Sequence, residues 1–166
     1  MFYYLSLGSN VAPEINAVNM VRSLCHTFGA ITIFPFSYTS PEGIETKKHF
    51  INSLAIVESN ECAELIKCKL NSIEVSLGRN RADPDRSRKD RSADLDILGV
   101  SEKEDLTVFF RQPELYISKI LSGTTDVVNL SLYGLPITKG PSAVNLDAGT
   151  GNIVVIDDAH DCFVNR

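Results

Sequence analysis

Two aspartates separated by one leucine, Asp94 and Asp96, are the side chains of this sequence best suited to chemistry. They lie in the first half of the segment ADLDILGV, residues 93–100, whose apolar and β-branched composition predicts a strand. Residues i and i+2 of a strand point to the same face, about 6.6–7 Å apart along the chain. Mg²⁺ typically takes one or two protein carboxylates and completes its shell with water and phosphate oxygens. The spacing therefore predicts a divalent-cation site, with a solvated polar strand face as the alternative.

An arginine-rich segment directly precedes this pair. Residues 79–91 read RNRADPDRSRKDR, and six basic against three acidic side chains give the segment a charge of +3. The whole chain carries −5, so the remaining residues carry −8. Guanidinium groups such as those of Arg79 and Arg91 keep their charge and match phosphate oxygens in shape. Carboxylates beside such arginines form a consistent nucleotide site, and the alternative is a solvated basic loop.

Composition excludes several classes of protein. With 166 residues, 43% of them hydrophobic, the chain is expected to form a single domain over 1–166. Its net charge argues against a general nucleic-acid or membrane-surface binder, and no apolar run is long enough to span a membrane. Four scattered cysteines without a CxxC pair, and no signal peptide, predict a cytoplasmic protein without a zinc ribbon. The phosphate-loop pattern GxxxxGK[ST] and the dinucleotide pattern GxGxxG are both missing.

The elements that must position these side chains follow from hydrophobic periodicity and from turn residues. The expected order is β-α-β-β-α-β, typical of a ferredoxin-like antiparallel sheet of the α/β (α+β) class with helices on one face. Predicted strands cover 2–7, 31–38 (with Pro35 at an edge or bulge), 50–58, 93–100, and less clearly 127–133 and 153–157. Predicted helices begin near Pro13, after Asn60 as N-cap, and at Pro113, and they end at Gly29, Gly78 and Gly123. Residues 140–151 are expected to form a loop.

Four stretches in order make this sequence resemble the 6-hydroxymethyl-7,8-dihydropterin pyrophosphokinase family. The last two, separated by a loop, are the more specific, and the resemblance covers residues 1 to about 108. The stretches are LSLGSN at 5–10, YTSP at 38–41 with FIN at 50–52, IE at 73–74 with GRNR at 78–81, and RSADLDIL at 91–98.

The resemblance implies a ferredoxin-like fold and transfer of pyrophosphate from ATP to the hydroxymethyl group of the pterin, leaving AMP. It implies two Mg²⁺ ions and ATP as co-substrate, a reduced pterin as acceptor, no nucleic-acid or membrane partner, and a monomer. By resemblance Asp94 and Asp96 bind metal, and Arg79, Arg91 and Asp96 act in catalysis. The resemblance also implies that four residues contact the nucleotide: Glu74, Arg81, Ile97 and Thr107. It implies that three residues contact the pterin: Ser40, Phe50 (in place of the usual tyrosine) and Asn52.

The sequence departs from the family pattern at two places. Residues 87–90 read SRKD where the family usually has Trp-Gly-Pro, and the chain contains no tryptophan. Residues 109–111 read FFR where the family continues Pro-His-Tyr. We find no counterpart beyond Arg111, including none for the aromatic residue that sandwiches the pterin. Arg86, Arg88 or Arg111 are candidates to replace the missing phosphate contacts.

Two alternatives to an active pyrophosphokinase remain. The first is a relative without turnover that binds a nucleotide or pterin, favoured by the two departures. The second is an RNA-binding ferredoxin-like domain that uses the basic loop, although the aromatic RNA-binding pattern is missing and the rest of the chain is acidic.

Overall fold

The computed structural model describes residues 1–41, 46–86, 88–132, 135–137, 143–147 and 152–156. The helices are α1 (Pro13–Phe28), α2 (Ala63–Ser76), α3 (Thr107–Phe110) and α4 (Leu115–Leu121). The strands are β1 (Phe2–Ser9), β2 (Ala30–Ile33), β3 (Ser37–Thr39), β4 (Phe50–Glu58), β5 (Asp94–Ser101), β6 (Ser131–Leu132), β7 (Leu135–Pro136), β8 (Ala143–Asp147) and β9 (Asn152–Ile156). Among the described residues, no helix is long and apolar enough to cross a membrane.

Strand β1 lies at the centre of the region that carries the predicted site. The main sheet runs β5-β1-β4-β2-β8-β9, with β3 also paired to β4, and every pairing is antiparallel. Gly8 of β1 faces Asn52 of β4 on one side and Asp94 of β5 on the other. The predicted antiparallel sheet flanked by helices is confirmed, and its register brings distant predicted site residues onto neighbouring strands.

The helices cover both faces of this sheet, so the expectation of helices on one face is wrong. Leu5 and Leu7 pack in one core with residues of α1 and α2, such as Leu24 and Leu70. Tyr4 points to the other face and joins residues of β4, α3 and α4 in a second core. Because successive side chains of a strand alternate between faces, apolar residues at consecutive positions of β1 require cover on both sides.

The predicted strand over 31–38 is two strands. The chain leaves the sheet between β2 and β3 at Pro35, which has no N–H to give a ladder. The flanking Phe34 stays anchored, since its N–H donates to the Leu54 carbonyl at 2.9 Å and its carbonyl accepts from Ser53 Oγ at 2.7 Å. Helix α2 also differs in its start, because Cys62 and not Asn60 is the N-cap, without a capping side-chain hydrogen bond.

The second half of the chain differs most from expectation. Residues 143–147, expected to form a loop, are strand β8 and pair with β2. Of the described residues 127–132 in the strand predicted over 127–133, only 131–132 form a strand, with Val127 bridging to Ser37. The predicted strand near 153–157 is confirmed as β9 up to Ile156; Asp157 and Tyr133 lie outside the described residues.

The predicted third helix is shorter than expected. It begins at Leu115 and ends at Leu121, and the short helix α3 before it was not predicted. By contrast, Pro13 at the first turn of α1 and Gly29 after its end are confirmed. Gly29 has a φ of 80° and its N–H donates to the Cys25 carbonyl at 2.8 Å, the conformation for which glycine is favoured at a helix end.

Candidate active site

A single cavity of about 470 Å³ contains most of the side chains predicted to carry function. It is lined by the predicted residues Ser40, Phe50, Asn52, Arg91, Asp94, Asp96 and Ile97. Asp94 and Asp96 both face it from β5, at the edge of the sheet, as the two-residue period of a strand requires. The structure therefore joins the proposed pterin side and the proposed metal side in one space.

Gly8 lies on β1 between residues of those two sides, opposite Asn52 and Asp94. A Cβ atom built on Gly8 would meet Asn52 Oδ1 at 2.6 Å and Asp94 Cβ at 3.9 Å. Any larger residue would push the Asn52 amide, whose nitrogen donates to Thr39 Oγ1 at 2.6 Å, out of its place. The glycine of the LSLGSN stretch is therefore required because β1 has no room for a side chain where it runs between Asn52 and Asp94.

Asp94 is held by two guanidinium groups. Arg79 Nη1 lies 3.0 Å from Asp94 Oδ1, and Arg91 Nη1 donates to Oδ2. The Arg79 side chain is only 9% exposed and also donates to the Ala93 carbonyl at 2.9 Å. Charge-assisted bonds of this kind are strong and directional, so Arg79 and Arg91 fix the orientation of the Asp94 carboxylate. Of these two arginines, only Arg91 also lines the cavity.

Asp96 is more open and is held differently. Its side chain is 56% exposed, and Lys67 of α2 places Nζ 2.6 Å from Asp96 Oδ1. Lys67 was not predicted. A usable signal was its spacing from Glu74, since residues seven apart share one face of a helix.

Side chains of α2 supply the hydrogen-bond partners of the backbone between the two aspartates. The Leu95 N–H donates to Glu74 Oε1 at 2.8 Å, and the Leu95 carbonyl accepts from Lys67 Nζ at 2.8 Å. Edge strands leave such groups without partners, so side chains of α2 take the place of a missing neighbour strand. Glu74 is 1% exposed and pairs with Arg81. Glu74 therefore supports the carboxylate pair from behind the strand.

Three of the predicted nucleotide-side residues are not among those that line the cavity: Glu74, Arg81 and Thr107. Thr107 begins α3, and its N–H donates to Asp105 Oδ1 at 3.0 Å. Arg79 binds Asp94 and does not line the cavity either. The nucleotide contacts of these four residues remain predictions.

The end of the arginine-rich loop is tied to the turn after β1. The Arg91 N–H donates to Asn10 Oδ1 at 2.6 Å, and the Asn10 N–H donates to the Arg91 carbonyl at 3.0 Å. Asn10 Nδ2 also donates to Asp90 Oδ1 at 2.7 Å, and Lys48 pairs with Asp90 at 2.6 Å. The hydrogen bond from Lys48 is the main cause that lowers the pKa of Asp90. These contacts hold Arg91 in the lining of the cavity.

Five further residues that line the cavity were not predicted as site residues: Ser6, Thr39, Leu98, Glu114 and Tyr116. Burial raises the pKa of Tyr116 to about 12, with smaller contributions in the same direction from the charges of Glu114, Asp94 and Asp96. A hydrogen bond with Ser6 acts in the opposite direction. Tyr116 is therefore a neutral hydroxyl at physiological pH and supplies a second aromatic ring beside Phe50.

The raised pKa of Tyr116 gives a first testable prediction. In a spectrophotometric titration, the difference between wild type and Tyr116→Phe should show a phenol ionising near pH 12, well above the ordinary tyrosine value of about 10. A raised folded-state pKa means that its contribution to stability is complete below the unfolded pKa and is lost as pH rises through the folded one. A difference titration centred on the ordinary value would contradict the partly buried position of this ring.

The fold and the cavity define a mixed α/β domain with paired acidic and basic side chains, an arrangement of the kind used by enzymes that transfer phosphate groups. The sequence model of the 7,8-dihydro-6-hydroxymethylpterin-pyrophosphokinase (HPPK) family matches residues 4–121, well over half of the chain. The chain belongs to this family, and the resemblance noted from its motifs is confirmed. The match extends past Arg111 and so corrects our limit near residue 108: it includes Glu114 and Tyr116. No match was found among curated proteins.

Proposed function

We propose that this protein transfers pyrophosphate from ATP to the hydroxymethyl group of 6-hydroxymethyl-7,8-dihydropterin and releases AMP. The observation that carries the proposal is the shared cavity, in which Phe50 and Asn52 lie on the same space as Asp94, Asp96 and Arg91. A transfer between two substrates requires both to be held side by side with the reacting atoms aligned. Family membership supports a pyrophosphokinase of folate biosynthesis, and the cavity supports the specific reaction.

The acceptor side suits a flat, polar heterocycle. Phe50 and Tyr116 offer aromatic rings to the cavity, and stacking on such rings stabilises planar ligands. Asn52 and Ser40 offer polar groups to the ring edge. Tyr116 therefore fills the role of the second aromatic residue for which the sequence showed no counterpart.

The phosphate side fits magnesium. Asp94 and Asp96 provide hard oxygen donors, and the exposure of Asp96 leaves room for water and phosphate oxygens around a cation. Among the described residues no three His, Cys, Asp or Glu side chains gather into a metal-binding group, and Mg²⁺ does not need a third protein carboxylate. When bound, two such ions would neutralise the triphosphate and polarise the phosphorus under attack.

In the proposed reaction the hydroxymethyl oxygen forms a bond with the β-phosphorus, and the hydroxyl proton is released to solvent. The bond from that phosphorus to the oxygen that bridges the α- and β-phosphates breaks, and AMP leaves with the bridging oxygen. Arg91 faces the cavity and would stabilise negative charge on the phosphate oxygens. Asn52 and Phe50 would hold the acceptor, and the absence of a side chain at Gly8 leaves the Asn52 amide in its place.

The test is an AMP-release assay with purified protein, Mg²⁺, ATP and the reduced pterin alcohol. We expect AMP only in the complete mixture, since the hydroxymethyl group is the acceptor. Reactions without pterin, or with a chelator in place of Mg²⁺, serve as controls. Prolonged incubation without AMP above these controls would contradict the proposed function.

A second candidate is a binding protein of the same family without turnover. It is favoured by residues 109–111, where the family continues Pro-His-Tyr and this chain has Phe109, Phe110 and Arg111. Phe109, at the proline position, is fully buried and packs edge-to-face against Tyr4 and Phe34. Phe110, at the histidine position, is 52% exposed and has no side-chain group that can donate a hydrogen bond to phosphate. Calorimetry that detects nucleotide or pterin binding, together with no AMP release, would favour this candidate.

A further inference from the structure

Lys67 forms an ion pair with Asp96, whose carboxylate we assign as a metal ligand. Its ammonium group lies 2.6 Å from Asp96 Oδ1 and 2.8 Å from the Leu95 carbonyl oxygen. The lysine is fixed by two acceptors of different kinds, one a side chain and one the edge of β5. A cation binding to Asp96 Oδ1 would therefore meet a positive charge already in contact with that oxygen.

The two aspartates differ in how firmly their cations are held. Arg79 beside Asp94 has a side chain only 9% exposed, and it also donates to the Ala93 carbonyl. Lys67 is 34% exposed, and its partner Asp96 is 56% exposed. Lys67 and Arg79 each make two contacts. The ammonium group of Lys67 lies on a flexible, more exposed stem and regains solvation when it turns away, whereas the buried guanidinium of Arg79 does not. Lys67 is thus the cation that can leave when another arrives.

We propose that Lys67 is a built-in competitor of the divalent cation at Asp96. The ammonium group lowers the affinity of the carboxylate pair for the free metal ion. This inference rests on the proposed function, because it takes Asp96 as a metal ligand.

Lys69 provides a matched control on the same helix. Its side chain is also 34% exposed and also pairs with one carboxylate, that of Glu61. Replacing either lysine by methionine removes one positive charge and keeps an unbranched side chain that is one atom shorter. Only Lys67→Met removes a positive charge that is in contact with Asp96.

The experiment measures binding of Mn²⁺ alone to the full chain, with the signal of free Mn²⁺ in electron paramagnetic resonance as readout. Lys67→Met should bind Mn²⁺ about fivefold more tightly than wild type, the change expected from removing a competing contact of an exposed pair. Lys69→Met should stay within about twofold, as expected for a distant surface charge. Lys67→Arg should resemble wild type. With Asp96→Asn as background, Lys67→Met should no longer change the affinity, since the double-mutant cycle removes the coupled pair.

The sign of the change separates competition from structural support. If Lys67 only held Asp96 in place, Lys67→Met would weaken Mn²⁺ binding. Unchanged or weaker binding by Lys67→Met therefore overturns the competition. If Asp96→Asn binds Mn²⁺ clearly more weakly than wild type in the same experiment, Asp96 remains a metal ligand. If Asp96→Asn binds as tightly as wild type, the metal assignment fails and the competition with it. Should Lys67→Met melt at a lower temperature than Lys69→Met, Lys67→Gln repeats the measurement with a polar side chain.

Discussion

Replacing Asp96 with asparagine is expected to abolish pterin-dependent AMP formation while the protein stays folded. Asparagine keeps the shape of the side chain and removes its charge, so the site loses a hard anionic ligand for Mg²⁺. Loss of electrostatic stabilisation at a reacting centre commonly costs about 10²–10³-fold in turnover, and a decrease of at least about 10²-fold is expected here. The measurement is the initial rate of AMP release at saturating ATP, pterin and Mg²⁺.

Stability should separate this effect from unfolding. The Asp96 side chain is 56% exposed, and the only ion pair described for it is with Lys67. Exposed pairs contribute about 0–1 kcal/mol, so the melting temperature of Asp96→Asn should stay close to that of wild type. Asp85→Asn, an exposed aspartate of the arginine-rich loop, is the matched control and should keep normal turnover. Normal turnover of Asp96→Asn would remove the carboxylate pair from the mechanism.

The part of the site that sequence predicts well is the part set by local geometry. Asp94 and Asp96 share a face because a strand repeats every two residues, and both line the cavity. Glycine and proline also mark boundaries reliably: Gly29 ends α1, and Pro35 breaks what would otherwise be one strand into β2 and β3. These features depend on a few neighbouring residues and on the backbone constraints of glycine and proline, which can be read directly from the sequence.

What sequence could not predict depends on contacts between distant segments. Lys67 meets Asp96 across 29 positions, and Glu74 meets the Leu95 N–H across 21. Which side chains complete the edge of β5 is decided only when α2 packs beside it, and neither periodicity nor motif spacing encodes that choice. Tyr116 reaches the cavity from α4, on the opposite face of the sheet from α1 and α2.

The strand at 143–147 shows a related difficulty. Its residues AVNLD lie in a glycine- and serine-containing stretch with weak alternation, so composition favours a loop. In the structure they pair with β2, whose other edge would otherwise be open. The need of β2 for a partner, and not the propensity of residues 143–147, explains this strand.

Glu74 offers the largest expected effect on stability, because its carboxylate is 1% exposed and bound to two groups. Removing one partner of a buried charge pair leaves the other unpaired, and such changes cost about 3–5 kcal/mol. Arg81 is 32% exposed and recovers some solvation, so Glu74→Ala should lower the free energy of unfolding by about 3 kcal/mol. Urea unfolding followed by circular dichroism and tyrosine fluorescence measures it.

Glutamine at position 74 tests the reason for that loss. Glu74→Gln can still accept a hydrogen bond from the Leu95 N–H but no longer pairs its charge with Arg81, so about half of the loss should be recovered. The control Glu104→Ala alters an exposed glutamate and should change stability by less than about 0.5 kcal/mol. If Glu74 instead served mainly as a nucleotide contact, Glu74→Gln would raise the KM for ATP and leave unfolding unchanged. That result would contradict its role behind β5, since the open edge between the two aspartates would then not depend on this carboxylate.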